Sequence, residues 1–279
     1  MSVAFHADPA AFACAAQGVA SRSPCSEALV AIWCANLRRH PPAPGVDVLL
    51  ATAEADGARA IAMRLGRHQV LLEHSDPAAA REIACALADR GYDIPGVDGG
   101  EAACEAFADA WRERTGRVSV ERVRLRHHML ESVALIAAPP GAMRVAEESD
   151  LAWLVAAHDA FTDEAKVPRA PQGTDRMVRD RLGERRYRVW EDPAIVSFLG
   201  TVLVDGRHAR IGPVYTPPPA RGRGYATALV AAASRELLDR GARRVFLTTD
   251  LANPVSNAIY ARIGYRPVDD TAGFDFVDP

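Results

Sequence analysis

Apolar and polar positions alternate most clearly in the second half of the chain. Ala226, Leu229, Val230, Ala233 and Leu237 recur at helical intervals, while Arg235, Glu236 and Asp239 fall on the other side. This pattern predicts an amphipathic helix that runs to Arg240 and is stopped by Gly241. Val245-Phe246-Leu247 follows as a short apolar run typical of a buried strand, ending at Thr248, Thr249 or Asp250. A second helix is predicted from Pro254 to Ile263, with Asn253 as N-cap and Gly264 closing it. At helical spacing Val255, Ile259 and Ile263 make one apolar stripe, and Asn253, Asn257 and Tyr260 share a separate flank. Upstream, Arg188-Val189-Trp190, Ile195 to Val204 and His208 to Thr216 read as strands, the last two joined by an Asp205-Gly206 hairpin turn.

Between the last of these strands and the first helix stands Arg221-Gly222-Arg223-Gly224-Tyr225-Ala226. Two glycines allow backbone conformations closed to other residues and a close approach to an anion. The helix that starts there offers unpaired N–H groups and the positive end of its dipole. The expected ligand carries a pyrophosphate.

This succession of strand, Arg-x-x-Gly-x-Ala, helix, strand, Asn-Pro, helix with Tyr260, then Gly264-Tyr265 resembles the GNAT superfamily of coenzyme A dependent N-acetyltransferases. The resemblance implies an α/β fold (α+β mixed sheet), with a central twisted mixed β-sheet flanked by helices. It implies acetyl-CoA as acyl-donor substrate, lying between the strand ending at Thr216 and the strand ending near Asp250. Backbone groups of Val214 and Thr216 would then meet the pantetheine arm. Arg221, Gly222, Arg223, Gly224, Tyr225 and Ala226 would hold the diphosphate, with Asn253 beside the cofactor. Tyr260 would act as general acid toward the departing sulfur, and the amide of Val214 or a neighbour would face the oxyanion. Pro213 lacks an amide, consistent with a bulge that splays the strands. The general base stays open among Asp250, Glu191 and His208.

Ala137-Ala138-Pro139-Pro140-Gly141 has no periodicity and reads as a linker between residues 1–137 and 142–279. Past it, Met143 to Ala146 reads as a strand and Leu151 to Phe161 as a helix, with a polar segment from Thr162 to Arg186. The first half repeats the plan at an offset of about 150 residues. Leu49 to Thr52, Ala60 to Leu65 and Gln69 to Leu72 read as strands, with Asp56-Gly57 as a turn. A helix from Pro77 to Arg90 and another closing at Thr115-Gly116 follow. Two GNAT-like domains are thus expected, the second catalytic. In the first, His74-Ser75-Asp76-Pro77 replaces the glycine bend and brings a carboxylate and a proline, so an anion meets repulsion there. Phe107 or Trp111 takes the position of Tyr260. That half is expected to be silent, serving structure or the shaping of the acceptor site.

Composition narrows the function further. With 279 residues, 49% of them hydrophobic, a buried core is assured, and a net charge of -3 gives no bulk attraction to nucleic acid or an anionic membrane. Five cysteines, all in the first half, show no Cys-x-x-Cys spacing and read as reduced. His127 and His128 are neighbours on a strand and point to opposite faces, so no metal site is expected. Polar residues interrupt the Ala-rich first forty residues before a signal or membrane segment forms, and a cytoplasmic location follows by default. The leading function is transfer of an acetyl group to a primary amine of a small-molecule or protein acceptor. Asp163 and Glu164 are candidates to attract a cationic amine. The alternatives are a non-catalytic acyl-CoA sensor or scaffold, and a nucleotide loop lacking the Gly-Lys-Ser/Thr of an NTPase.

Overall fold

In the computed structural model, which describes residues 2–167, 169–170 and 172–279, Asp56-Gly57 and Asp205-Gly206 turn with positive φ at every residue. The angles are 51° and 83° in one turn and 54° and 62° in the other. That geometry matches the right-handed twist of paired strands, and each turn joins such a pair.

Contacts sort the chain into two units. The first holds residues up to His127 together with Asp250–Ala252 and Val268–Pro279. Its elements are β1 (Ser2–Phe5), α1 (Pro9–Ala20), α2 (Pro24–Arg39), β2 (Val48–Ala55), β3 (Ala58–Leu65), β4 (Val70–Leu72), α3 (Pro77–Asp89), β5 (Gly96–Gly99), α4 (Glu101–Thr115) and most of β6 (Val118–Leu130). The second holds His128–Thr249 and Asn253–Pro267. It contains β7 (Ala142–Val145), α5 (Leu151–Ala165), α6 (Thr174–Gly183), β8 (Tyr187–Glu191), β9 (Ile195–Val204), β10 (His208–Tyr215), α7 (Tyr225–Asp239), β11 (Arg244–Asp250) up to Thr249, and α8 (Pro254–Ile263). The final strand β12 (Arg266–Val277) lies mostly in the first unit.

The first unit orders its strands β1-β2-β3-β4-β5-β12-β6, with β4 and β5 parallel. Asp8 opens α1 by accepting the amides of Ala10 and Ala11, and Ser23 opens α2 by accepting that of Cys25. Ile83 and Leu87 of α3 and Phe107 and Trp111 of α4 are fully buried on the sheet. Both aromatic rings stack on Phe276 of β12, with centroids 6.2 and 5.8 Å away. Each such burial contributes roughly 1.5–3 kcal/mol. The bend before α3 is filled by its own carboxylate, since Asp76 accepts the Arg59 amide at 2.7 Å and pairs with Arg22 at 3.0 Å.

The second unit orders its strands β11-β10-β9-β8-β7, antiparallel except for β10 and β11. Leu229, Val230, Ala233 and Leu237 of α7 are buried on one side, as their spacing predicts. Leu154 of α5 and Val178 and Leu182 of α6 pack with Tyr187, Phe198 and Tyr215 on another cluster. The segment around Ala137–Gly141 is no loose linker. Pro140 accepts the Trp190 indole N–H at 2.9 Å, and just upstream the Ala134 amide donates to Ile263 at 2.9 Å. The units also differ in outline from residues 1–137 and 142–279, because β6 runs on to Leu130 and the residues after Pro267 return to the first sheet.

Among the described residues no helix is long and apolar enough to cross a membrane, and no group of His, Cys, Asp and Glu is arranged to hold a metal. The five cysteines are free thiols.

Candidate functional site

The parallel ladder between β10 and β11 runs from His208 paired with Arg244 to Arg210 paired with Phe246. On its other side β10 follows β9 until a register shift between Ile211 and Val214. The sequence signals this bulge through Pro213, which cannot donate to a ladder. A side chain at position 200 of β9 would lie 2.8 Å from the Gly212 carbonyl, so the glycine there leaves room for the bulged backbone. Ala at position 200 is therefore expected to lower stability by about 1–3 kcal/mol through overpacking, read as a lower urea midpoint. An unchanged midpoint would mean that the bulge gives way freely.

Past the bulge, Val214 and Thr216 are half-buried. Three bonds tie Tyr215 and Thr216 in place. The Thr216 hydroxyl lies 2.9 Å from the Ser197 hydroxyl, Ser197 also donates to the Tyr215 carbonyl at 3.1 Å, and the Thr216 carbonyl accepts Arg221 Nε at 2.9 Å. Three prolines, Pro217 to Pro219, then lead through a single 3-10 turn to the glycine bend.

Gly222 and Gly224 have φ of 77° and 83°, and a Cβ on either would meet nothing within 4 Å. Gly224 is the N-cap of α7, and no side chain caps the helix. The first amides of α7 thus face an open, glycine-lined bend at the positive end of a fifteen-residue helix. The arginines of the motif divide. Arg223 is exposed. Arg221 turns back, pairing with Glu164 at 2.7 Å with its guanidinium over the Tyr215 ring. Tyr225 is buried and its hydroxyl donates to Asp192 at 2.6 Å. That bond, with burial added and Arg223 opposing, holds its pKa above the usual tyrosine range. Ala226 is half-buried in the first turn. The bend offers backbone and the exposed Arg223 guanidinium, which stands beside the Tyr225 hydroxyl, while the side chains of Arg221 and Tyr225 brace it.

On α8, Asn253 caps the helix by accepting the Ser256 amide at 3.0 Å, as the sequence predicts. Asn257 accepts the Thr249 hydroxyl at 2.6 Å and so ties α8 to β11. The expected apolar stripe is only partly buried. Ile263 is fully enclosed and Ile259 half-buried, but Val255 is 67% exposed. Its place in the first turn carries it beyond the sheet, and Tyr260 fills the core instead. Tyr260 is 8% exposed, and burial alone pushes its pKa up to about 12. Its ring lies 5.9 Å from that of Tyr265 and 6.2 Å from that of His128. His128 on β6 is a neighbour that sequence spacing gave no means to find, because more than a hundred residues separate the two.

The three candidates for the base fare differently. His208 begins β10, six residues from Val214, which at strand spacing is about 20 Å from that residue's amide. Glu191 pairs with Arg144 at 2.9 Å, which holds its carboxyl below the usual range. Asp250 accepts the Ala252 amide at 2.8 Å.

A strand pair that parts at a bulge is thus followed by a glycine bend into an uncapped helix, within a mixed α/β domain. Comparison with known proteins agrees: residues 153–265 match the acetyltransferase (GNAT) family model, so this part of the chain is a GNAT domain. A mycothiol acetyltransferase from Arthrobacter sp. (strain FB24) is 32% identical over 155 residues, covering 50% of this chain and 44% of that protein. The chain thus spans less than half the length of that relative. Another protein of that name, from Pseudarthrobacter chlorophenolicus, is 27% identical over 80% of this chain and 78% of its own. A solved tandem GNAT protein from the clavulanic acid biosynthesis pathway shares the fold at a TM-score of 0.57, with 14% identity and 98% coverage of both chains. The fold is that of two GNAT-like domains.

Proposed function

We propose that the chain transfers an acetyl group from acetyl-CoA to a primary amine, with the chemistry in the second unit. One observation carries the reading: two unobstructed glycines at positive φ open an uncapped helix beside a strand pair that separates at a bulge. The diphosphate would rest on the amides from Gly222 to Ala226, with Arg223 supplying charge. Val214 and Thr216 would offer backbone groups to the pantetheine arm, and the Val214 amide would stabilise the oxyanion. Asn253 acts there by fixing the start of α8, and Arg221 and Tyr225 by bracing the bend.

In the reaction the amine nitrogen bonds to the thioester carbonyl carbon, the carbon–sulfur bond breaks, and one proton passes from nitrogen to sulfur. Tyr260 is suited to carry that proton because its phenol is fully protonated at neutral pH. With a pKa near 12 it does not stay ionised, so it gives a proton to sulfur and regains one from the nitrogen. The relatives named mycothiol acetyltransferase favour acetyl as the group moved. The first unit, whose equivalent bend is closed by Asp76, is assigned a structural role. Mass spectrometry of untreated protein for bound coenzyme A, followed by acetylation of an amine panel, tests the reading. Absence of coenzyme A binding in a direct titration would sink it.

A further inference from the structure

Three polar groups on three elements of the second unit meet with hydrogen-bonding capacity left unused. His158 of α5 is 6% exposed, and neither ring nitrogen has a hydrogen-bond partner. Tyr187 of β8 is fully buried; the Arg181 guanidinium stands against its hydroxyl oxygen, and the hydroxyl proton has no acceptor. The two rings lie 6.1 Å apart, edge to face. Arg181 of α6 stands close enough for its charge to act on both, drawing down the proton affinity of the imidazole and opposing the rise that burial gives the phenol. Among the described residues Arg181 holds no carboxylate, whereas Arg169 and Arg179 in the same unit each hold two and Arg188 holds one. Asp159, the acid whose charge reaches His158, is taken by Arg169 and by the Thr174 hydroxyl.

Buried polar atoms are almost always paired, and exceptions mark a missing water, ion or ligand. Here the missing partner has a definite character. Burial keeps His158 neutral, with a pKa lowered to about 4, so it offers one N–H. Tyr187 offers an O–H and Arg181 a planar fork of N–H donors. Donors outnumber acceptors, one group is cationic, and the fork matches a flat, two-oxygen anion. The cluster is closed at Tyr187 and only half-buried at Arg181, so an anion would enter on the guanidinium side.

We propose that Arg181, Tyr187 and His158 form a carboxylate-binding subsite, and that the amine acceptor of this chain carries a carboxylate. This rests on the acetyl-transfer reading above. Tyr187 pairs with Gly200, the residue that makes room for the bulged Gly212 carbonyl, so the cluster lies two strands from the bulge. Two strand spacings amount to about 10 Å. An acceptor spanning that gap has its amine well separated from its carboxylate, as in an ω-amino acid.

The test follows the His158 ring resonances of the full chain by NMR during addition of sodium propionate, propionamide and sodium phosphate. It is paired with acetylation rates for 6-aminohexanoate and hexylamine. Propionate is expected to shift the resonances saturably and propionamide not, with affinity at least tenfold weaker in Arg181→Gln. Tyr187→Phe, which keeps the ring and removes only the hydroxyl, is expected to weaken propionate in the same direction. In the parent protein 6-aminohexanoate should exceed hexylamine at least tenfold in kcat/KM, and Arg181→Gln should erase that preference. No response to any addition would mean that the space holds water alone and would overturn the subsite. An equal response to phosphate would overturn its selectivity for carboxylate. Equal rates for the two amines would detach the subsite from the acceptor. Propionate binding with neither amine acetylated would uphold the subsite and sink the transfer reading.

Discussion

Phenylalanine in place of Tyr260 is expected to cut turnover by about 10²–10⁴-fold, the range for losing a positioned proton donor. Affinity for coenzyme A should change little, because the cradle is formed by other residues. The fold should tolerate the change, since Tyr260 is buried in an apolar cluster and burial is the sole cause of its raised pKa. Turnover on a verified acceptor, with coenzyme A affinity by calorimetry and a thermal unfolding curve, separates these effects. Full turnover in the variant would remove Tyr260 from the chemistry and direct attention to its neighbour His128.

A second large effect is expected from Gly224→Asp. Aspartate tolerates left-handed backbone better than most residues and is a favoured N-cap, and a Cβ at Gly224 meets nothing within 4 Å. The protein should therefore stay folded. The new carboxylate, however, would stand where the diphosphate is to rest and would occupy the helix amides itself. Coenzyme A affinity should fall by at least about 100-fold, or roughly 2.7 kcal/mol. Calorimetric titration decides the matter, and undiminished affinity would show that the ligand's phosphates lie elsewhere.

The sequence is most legible where a single residue type has few physical alternatives. Asp56-Gly57 and Asp205-Gly206 allow little but tight hairpin turns. Pro213 announces an interrupted ladder, and Gly222 and Gly224 a bend at positive φ. Asn253 and Gly264 mark the ends of α8. It is least legible where partners are distant. The Ala-rich first forty residues conceal α1 and α2, because alanine contrasts weakly with either face of a helix. Val255 satisfies the helical period of α8 yet is exposed, since periodicity does not say how far a surface extends. Arg221 reads as a phosphate ligand from its place in the motif, and only coordinates reveal that Glu164 and the Thr216 carbonyl engage its side chain. Nothing in the sequence pattern singles out Asp192, which anchors the tyrosine that opens α7.

The return of β12 to the first unit has a practical consequence for anyone dividing this chain. Its residues lie between β5 and β6, with Phe274 opposite Val97 and Phe276 against Phe107 and Trp111. A fragment ending near residue 137 would lack an interior strand, leaving two unpaired edges and a stripped aromatic core, a surface prone to aggregate. The complementary fragment would carry a surplus strand with no sheet to join. Halves that look like beads on a string in the primary structure are, in the folded chain, stitched together by the last thread.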